Sequence, residues 1–82
     1  MTEQKILEFF RSKGKSTGLE VDTDLFKGGF VNSLFALEMV VYLEKAFSVR
    51  IRNSEITEEN FRTISSIAGV VNRARGEQHG RT

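Results

Sequence analysis

The chain has 82 residues, a net charge of +1, 39% hydrophobic residues, and neither cysteine nor proline. A chain this short buries only roughly 60% of its unfolded surface, which leaves one small core and no depth for an enzyme cleft. The lack of cysteine excludes disulfide staples and thiolate metal sites, and no apolar run reaches membrane-spanning length.

The first stretch, TEQKILEFFRSK at residues 2–13, predicts a helix rather than a signal peptide. Thr2 is a candidate cap, and Ile6, Leu7 and Phe10 share one face. Gly14 and Gly18 mark its end. Residues 15–32 then read as a loop, with Leu19, Val21, Leu25 and Phe26 as its anchors to the core. A loop of this length in so small a domain points to function.

The second helix runs from Ser33 to Phe47, capped by Asn32 or Ser33. Ala36, Met39, Val40, Leu43 and Phe47 form its core stripe at helical spacing. After it, SVRIRNSEI reads as an extended segment, with a short strand as the alternative. TEENF at 57–61 predicts a brief helix capped by Thr57. Thr63 caps a last helix, ISSIAGVVNRAR, that points Ile64, Ile67, Ala68 and Val71 inward. Gly69 lowers the stability of that helix, and close helix packing would explain it. The expected architecture is all-α. It is a small antiparallel four-helix bundle of three main helices and one short one, with a long first loop. Residues 1–76 form the single domain and 77–82 a flexible tail, in a soluble, cytoplasmic protein.

Helix two carries more apolar surface than one core needs. On a helical wheel, Leu34, Leu37, Glu38, Val41, Tyr42 and Lys45 lie opposite the core stripe, with Phe35 at the edge. Leu34, Leu37 and Val41 are therefore either a partner surface or the seat of the 15–32 loop. Ser33 has two readings as well. It can cap the helix, or it can leave that to Asn32 and stand as the first helical residue with a free hydroxyl. A phosphate on such a hydroxyl would lie against the unpaired N–H groups and dipole of the helix N-terminus. Gly28 and Gly29, just before, would let an enzyme approach the backbone.

Nothing supports Ser33 as a catalytic nucleophile, because the only histidine is His79, in the tail, and no cysteine is present. KGGF lacks the Gly-Lys-Ser/Thr of a phosphate-binding loop, and the acids are too scattered for a metal site. Residues 16–44 hold Glu20, Asp22, Asp24, Glu38 and Glu44 against Lys27, a local net of −4. That acidic centre favours basic partners and repels nucleic acid.

The stretch LFKGGFVNSLFALEMVVYLEKAF resembles acyl carrier proteins. Their signature of glycine, two residues, Asp, Ser, Leu and an apolar helix reads here as Gly29-Phe30-Val31-Asn32-Ser33-Leu34, followed by Glu38, Leu43, Glu44 and Phe47. The likeness spans roughly residues 3–75, through DTDLF, TEENF and TISSIAGVV. It implies a non-catalytic carrier with 4'-phosphopantetheine attached to Ser33 by a phosphopantetheinyl transferase. Acyl or aminoacyl groups would ride on the arm as thioesters while loading, modifying and transferring enzymes act on them. Asn32, Leu34, Phe35, Leu37, Glu38, Val41 and Glu44 would form the docking surface, and Ile56 and Phe61 would flank the arm. A monomer is expected, with no nucleic-acid or membrane partner.

Three positions depart from the family pattern. Asn32 replaces the usual Asp, and Phe35 and Lys45 stand where fatty-acid carriers often have acids. The helix is closer to free-standing carriers that build unusual malonyl-type extender units for polyketide or hybrid peptide assembly. DLFKGGFVNS is also similar to D-alanyl carrier proteins of cell-wall modification, the alternative. From other classes, a nucleic-acid binder would need Arg62, Arg73 and Arg75 in one stripe. An unmodified helical adaptor would use the Leu34–Leu37–Val41 face alone.

Overall fold

The computed structural model describes residues 2–15 and 17–79, the last three by backbone alone. Three α-helices are present, α1 at Thr2–Ser12, α2 at Ser33–Phe47 and α3 at Ile64–His79, with a 3-10 helix at Asn53–Glu55. No strand occurs among the described residues, and the SVRI stretch is extended without pairing.

Helix α1 buries Ile6, Phe9 and Phe10 and leaves Leu7 half-buried, so Phe9 joins the face expected from Ile6 and Phe10. Thr2 is itself helical, and its hydroxyl reaches the Asn72 amide oxygen on α3 rather than capping α1. Gly14 ends the helix with φ +71°. Lys15 N–H donates to Phe10 O and Gly14 N–H to Arg11 O, the paired bonds of a left-handed C-terminal turn.

Helix α2 buries Ala36, Met39, Val40, Leu43 and Phe47, the expected stripe, and also Phe35. It ends at Ser48, in left-handed conformation with φ 55°. Glu44 organises the exit. Its carbonyl accepts from Ser48 and Val49, and its half-buried carboxylate accepts from Ile51 N–H at 2.9 Å. Val49 and Ile51 are thereby turned into the core.

The expected helix at 57–61 is a single turn, closed by Phe61 N–H on Thr57 O, with Asn60 N–H on the Thr57 hydroxyl. Thr57 caps as predicted, but the regular short element lies earlier, at 53–55. Glu55 ties it to α3 through a 2.7 Å ion pair with Arg73. Thr63 and Ser66 cap α3 reciprocally, each side-chain oxygen accepting the other's backbone N–H. Ile64, Ile67, Ala68 and Val71 face the core as expected, joined by Val70 and Ala74. Gly69 has no packing reason, since a Cβ there would meet only the end of Arg73, at 3.4 Å. The helix continues to His79, beyond the Arg75 where the pattern ended, and residues 80–82 of the expected tail lie outside the described residues.

The core is one cluster drawn from all three helices, with Leu25, Val31, Val49, Ile51 and Phe61 from the connections. The long loop is pinned to the start of α3, where Leu25 N–H donates to Arg62 O and Ser65 N–H to Val21 O. Leu25 anchors the loop as expected, and Leu19 and Phe26 pack at its margin. Val21 is held by its carbonyl and not by its side chain, which stays 39% exposed.

Candidate functional site

The loop delivers the chain to α2 in a fixed way. Asp24 caps a turn by accepting from Lys27 N–H, and Gly28 N–H and Gly29 N–H close it on Asp24 O and Phe26 O. Both glycines have local reasons. A Cβ on Gly28 would lie 3.0 Å from the Phe30 ring, and Gly29 has φ +78°. Buried Leu25 and Val31 clamp the turn from both sides.

Asn32 then settles the choice of cap. It is extended (φ −128°, ψ −177°), and its side-chain oxygen accepts Phe35 N–H at 2.8 Å. Its carbonyl takes Ala36 N–H, the first intrahelical bond. Ser33 is therefore the first helical residue, exposed, and its hydroxyl makes no hydrogen bond among the described residues. The first turn of α2 contains no acid, so no carboxylate of its own helix occupies the positive end of the dipole beside Ser33.

A groove of about 280 Å³ runs from Ser33 between α2 and the 56–61 turn. Its walls are Phe26, Ala36, Leu37, Ile56 and Phe61, with Thr57 and Glu58 at its polar rim. Ile56 and Phe61, which the resemblance would set beside an arm, both line this groove, and Phe61, at 1% exposure, is a wall of it and not a free side chain. Phe26 was legible as a loop anchor and Thr57 as a cap, but nothing in the sequence tied either of them, or Glu58, to Ser33. They belong to irregular segments, where no helical period links them to Ser33.

The outer face of α2 is open. Leu34 is 71% exposed, and Leu37 and Val41 are 54% exposed, with Glu38 and Lys45 also at the surface. The 15–32 loop does not cover them. Phe35 is a correction to the docking set. It is 7% exposed because it packs on Phe9 and Phe10, with ring centroids 5.4 and 5.5 Å away, and Lys15 covers its ring from 4.6 Å. Glu44 has the internal partner already described, and Asn32 is exposed beside Ser33.

Tyr42 borders this face and locks α2 to α1 by donating to Lys5 O at 3.1 Å. Burial, and then the nearby Glu8 carboxylate, push its phenol above the ordinary tyrosine value and keep it a donor. Arg73 pairs with Glu55 while Arg75 stacks on Phe47, and Arg62 lies in the turn before α3, so the three arginines do not form one stripe. Among the described residues no group of three or more His, Cys, Asp or Glu could hold a metal ion. No described helix is long and apolar enough to cross a membrane.

Comparison with known families matches residues 4–71 to the phosphopantetheine attachment site family. The D-alanyl carrier protein of Lactococcus lactis subsp. lactis (strain IL1403) is 34% identical over 58 residues, covering 71% of this chain and 73% of that protein. The D-alanyl carrier protein of Streptococcus pyogenes serotype M5 (strain Manfredo) is 30% identical over 66 residues, covering 79% of this chain and 84% of that protein. The matched span takes in most of α1, the long loop, all of α2 with its cap, and the first half of α3. The chain belongs to the acyl carrier protein family, whose members carry covalently attached 4'-phosphopantetheine.

Proposed function

We propose that Ser33 is the attachment residue and that the chain is a discrete carrier of acyl or aminoacyl groups. The observation that carries this reading is the division of labour at the start of α2. Asn32 caps the helix, which leaves the Ser33 hydroxyl exposed and unbonded. The prosthetic group suits the position. A phosphodiester on Ser33 lies at the positive end of α2, and the groove that begins there offers apolar walls to an arm. When bound, the group supplies a terminal thiol for thioester cargo, a function this cysteine-free chain otherwise lacks.

The chain's own residues do the rest. Gly28 and Gly29 hold a tight turn, Leu25 and Val31 fix it, and Asn32 points the first turn of α2 at solvent. Leu34, Leu37 and Val41, with Glu38, offer an open face for a phosphopantetheinyl transferase and for enzymes that load, modify and unload the cargo. Such docking is small and exchangeable, as a shuttle requires.

The similarity to D-alanyl carrier proteins puts an aminoacyl cargo first. This is the alternative of the sequence reading, ahead of the malonyl-type extender unit, whose support is the resemblance of α2 to carriers of secondary metabolism. The test is the intact mass after incubation with coenzyme A, magnesium and a broad-specificity phosphopantetheinyl transferase. The wild type gains one phosphopantetheine and Ser33→Ala gains none. A folded wild type that gains nothing with several transferases would return Ser33 to an ordinary surface residue and favour the unmodified adaptor.

A further inference from the structure

The groove beside Ser33 has one charged side chain in its lining, Glu58. No lysine or arginine lines it. Glu58 is exposed and makes no hydrogen bond or ion pair among the described residues, so its charge is not neutralised within the fold. Glu59, its neighbour in the chain, and Glu38, which follows the groove residue Leu37, are exposed acids as well. The apolar walls and the acidic rim together suit a ligand with a methylene-rich stem and a cationic end.

We infer that Glu58 selects an aminoacyl cargo, whose free ammonium it pairs with, over a malonyl-type cargo, whose free carboxylate it repels. The inference rests on the reading that Ser33 carries the arm, and it deepens that reading by naming a residue that discriminates between the two cargo classes. A flexible arm rooted at Ser33 can turn back into a groove that starts at its own anchor. Screening confines the effect to cargo inside the groove, because the Debye length at physiological salt is about 8 Å. An exposed ion pair supports about a two- to fivefold preference in groove occupancy, not an absolute choice.

The test uses the full chain, wild type and Glu58→Gln. Each is loaded by transferring D-alanyl- or malonyl-phosphopantetheine from the corresponding coenzyme A thioester. Loading is verified by intact mass. The readout is the amide chemical shifts of Ala36, Thr57, Glu58 and Phe61, relative to the same protein with an unacylated arm. D-alanyl cargo is expected to move these signals about two- to fivefold further than malonyl cargo does. Glu58→Gln and added salt should both erase the difference, with α1 signals unchanged to show an intact fold. Equal shifts for both cargoes, no shift for either, or a difference that survives Glu58→Gln would overturn the inference alone. A chain that accepts no arm at Ser33 would overturn it together with the reading beneath it, and the mass step separates the two failures.

Discussion

The two faces of α2 are both strongly apolar and meet opposite fates. Ala36, Met39, Val40, Leu43 and Phe47 are buried, while Leu34, Leu37 and Val41 face solvent on the same fifteen-residue helix. Hydrophobicity does not separate them, because leucine and valine occur on both sides. What differs is the neighbourhood. Phe9 and Phe10 of α1 and the core residues of α3 reach one side, and the long loop, which had the length to cover the other, is pinned instead to the first turn of α3. A small domain thus keeps an apolar face open by spending its loop elsewhere, and that face lies beside the free hydroxyl of Ser33.

Truncating one leucine on each face should separate the two most clearly. Leu43→Ala removes a fully buried side chain and should cost about 2–5 kcal/mol in urea unfolding. Leu37→Ala should stay within about 0.5 kcal/mol. Equal losses would mean that the outer face is covered in solution. The next largest effect separates the two residues at the helix start. Asn32→Ala loses the cap and should cost about 0.5–2 kcal/mol, read as a Tm drop of about 4–8 °C per kcal/mol. Ser33→Ala should leave Tm nearly unchanged. If Ser33→Ala were the costlier change, the hydroxyl would be a cap in solution and the division of labour would fail.

The smallest effect is at Tyr42, on the border between the faces. Its phenol is raised in the folded state, so the protonated form is the one folding favours. The associated stability is fully present below the unfolded value of about 10 and is lost as pH rises through the folded value. Tm should therefore fall more steeply in wild type than in Tyr42→Phe as pH is raised from 9 to 11. Parallel curves would show that the phenol is not held in its half-buried place beside Glu8 in solution.

Much of this was legible because helices announce themselves locally. The stripe of α2, the Thr63 cap and the Gly14 stop follow from spacing and residue type alone, whereas the role expected of Ser33 came from the resemblance of its motif. Misreadings fell where a residue's neighbours come from far away in the chain. Phe35 was placed at an edge by the helical wheel, yet two rings from α1 close over it. Glu44 looked like a surface acid until the returning chain brought Ile51 N–H to it. Gly69 suggested close packing, and the space beside it is open except for Arg73.

The local pattern of residues is enough to specify three amphipathic helices, the Thr63 cap, the Gly14 stop and a serine at the start of the most apolar helix. These depend on interactions within about four residues, which the order of side chains encodes directly. Long-range packing sets which face of α2 stays open, that Asn32 and not Ser33 makes the capping bond, and that Phe26, Ile56, Glu58 and Phe61 meet around Ser33. Those outcomes depend on how the long loop and the 56–61 turn return to the helices. Irregular backbone of that kind has no period from which its partners can be read.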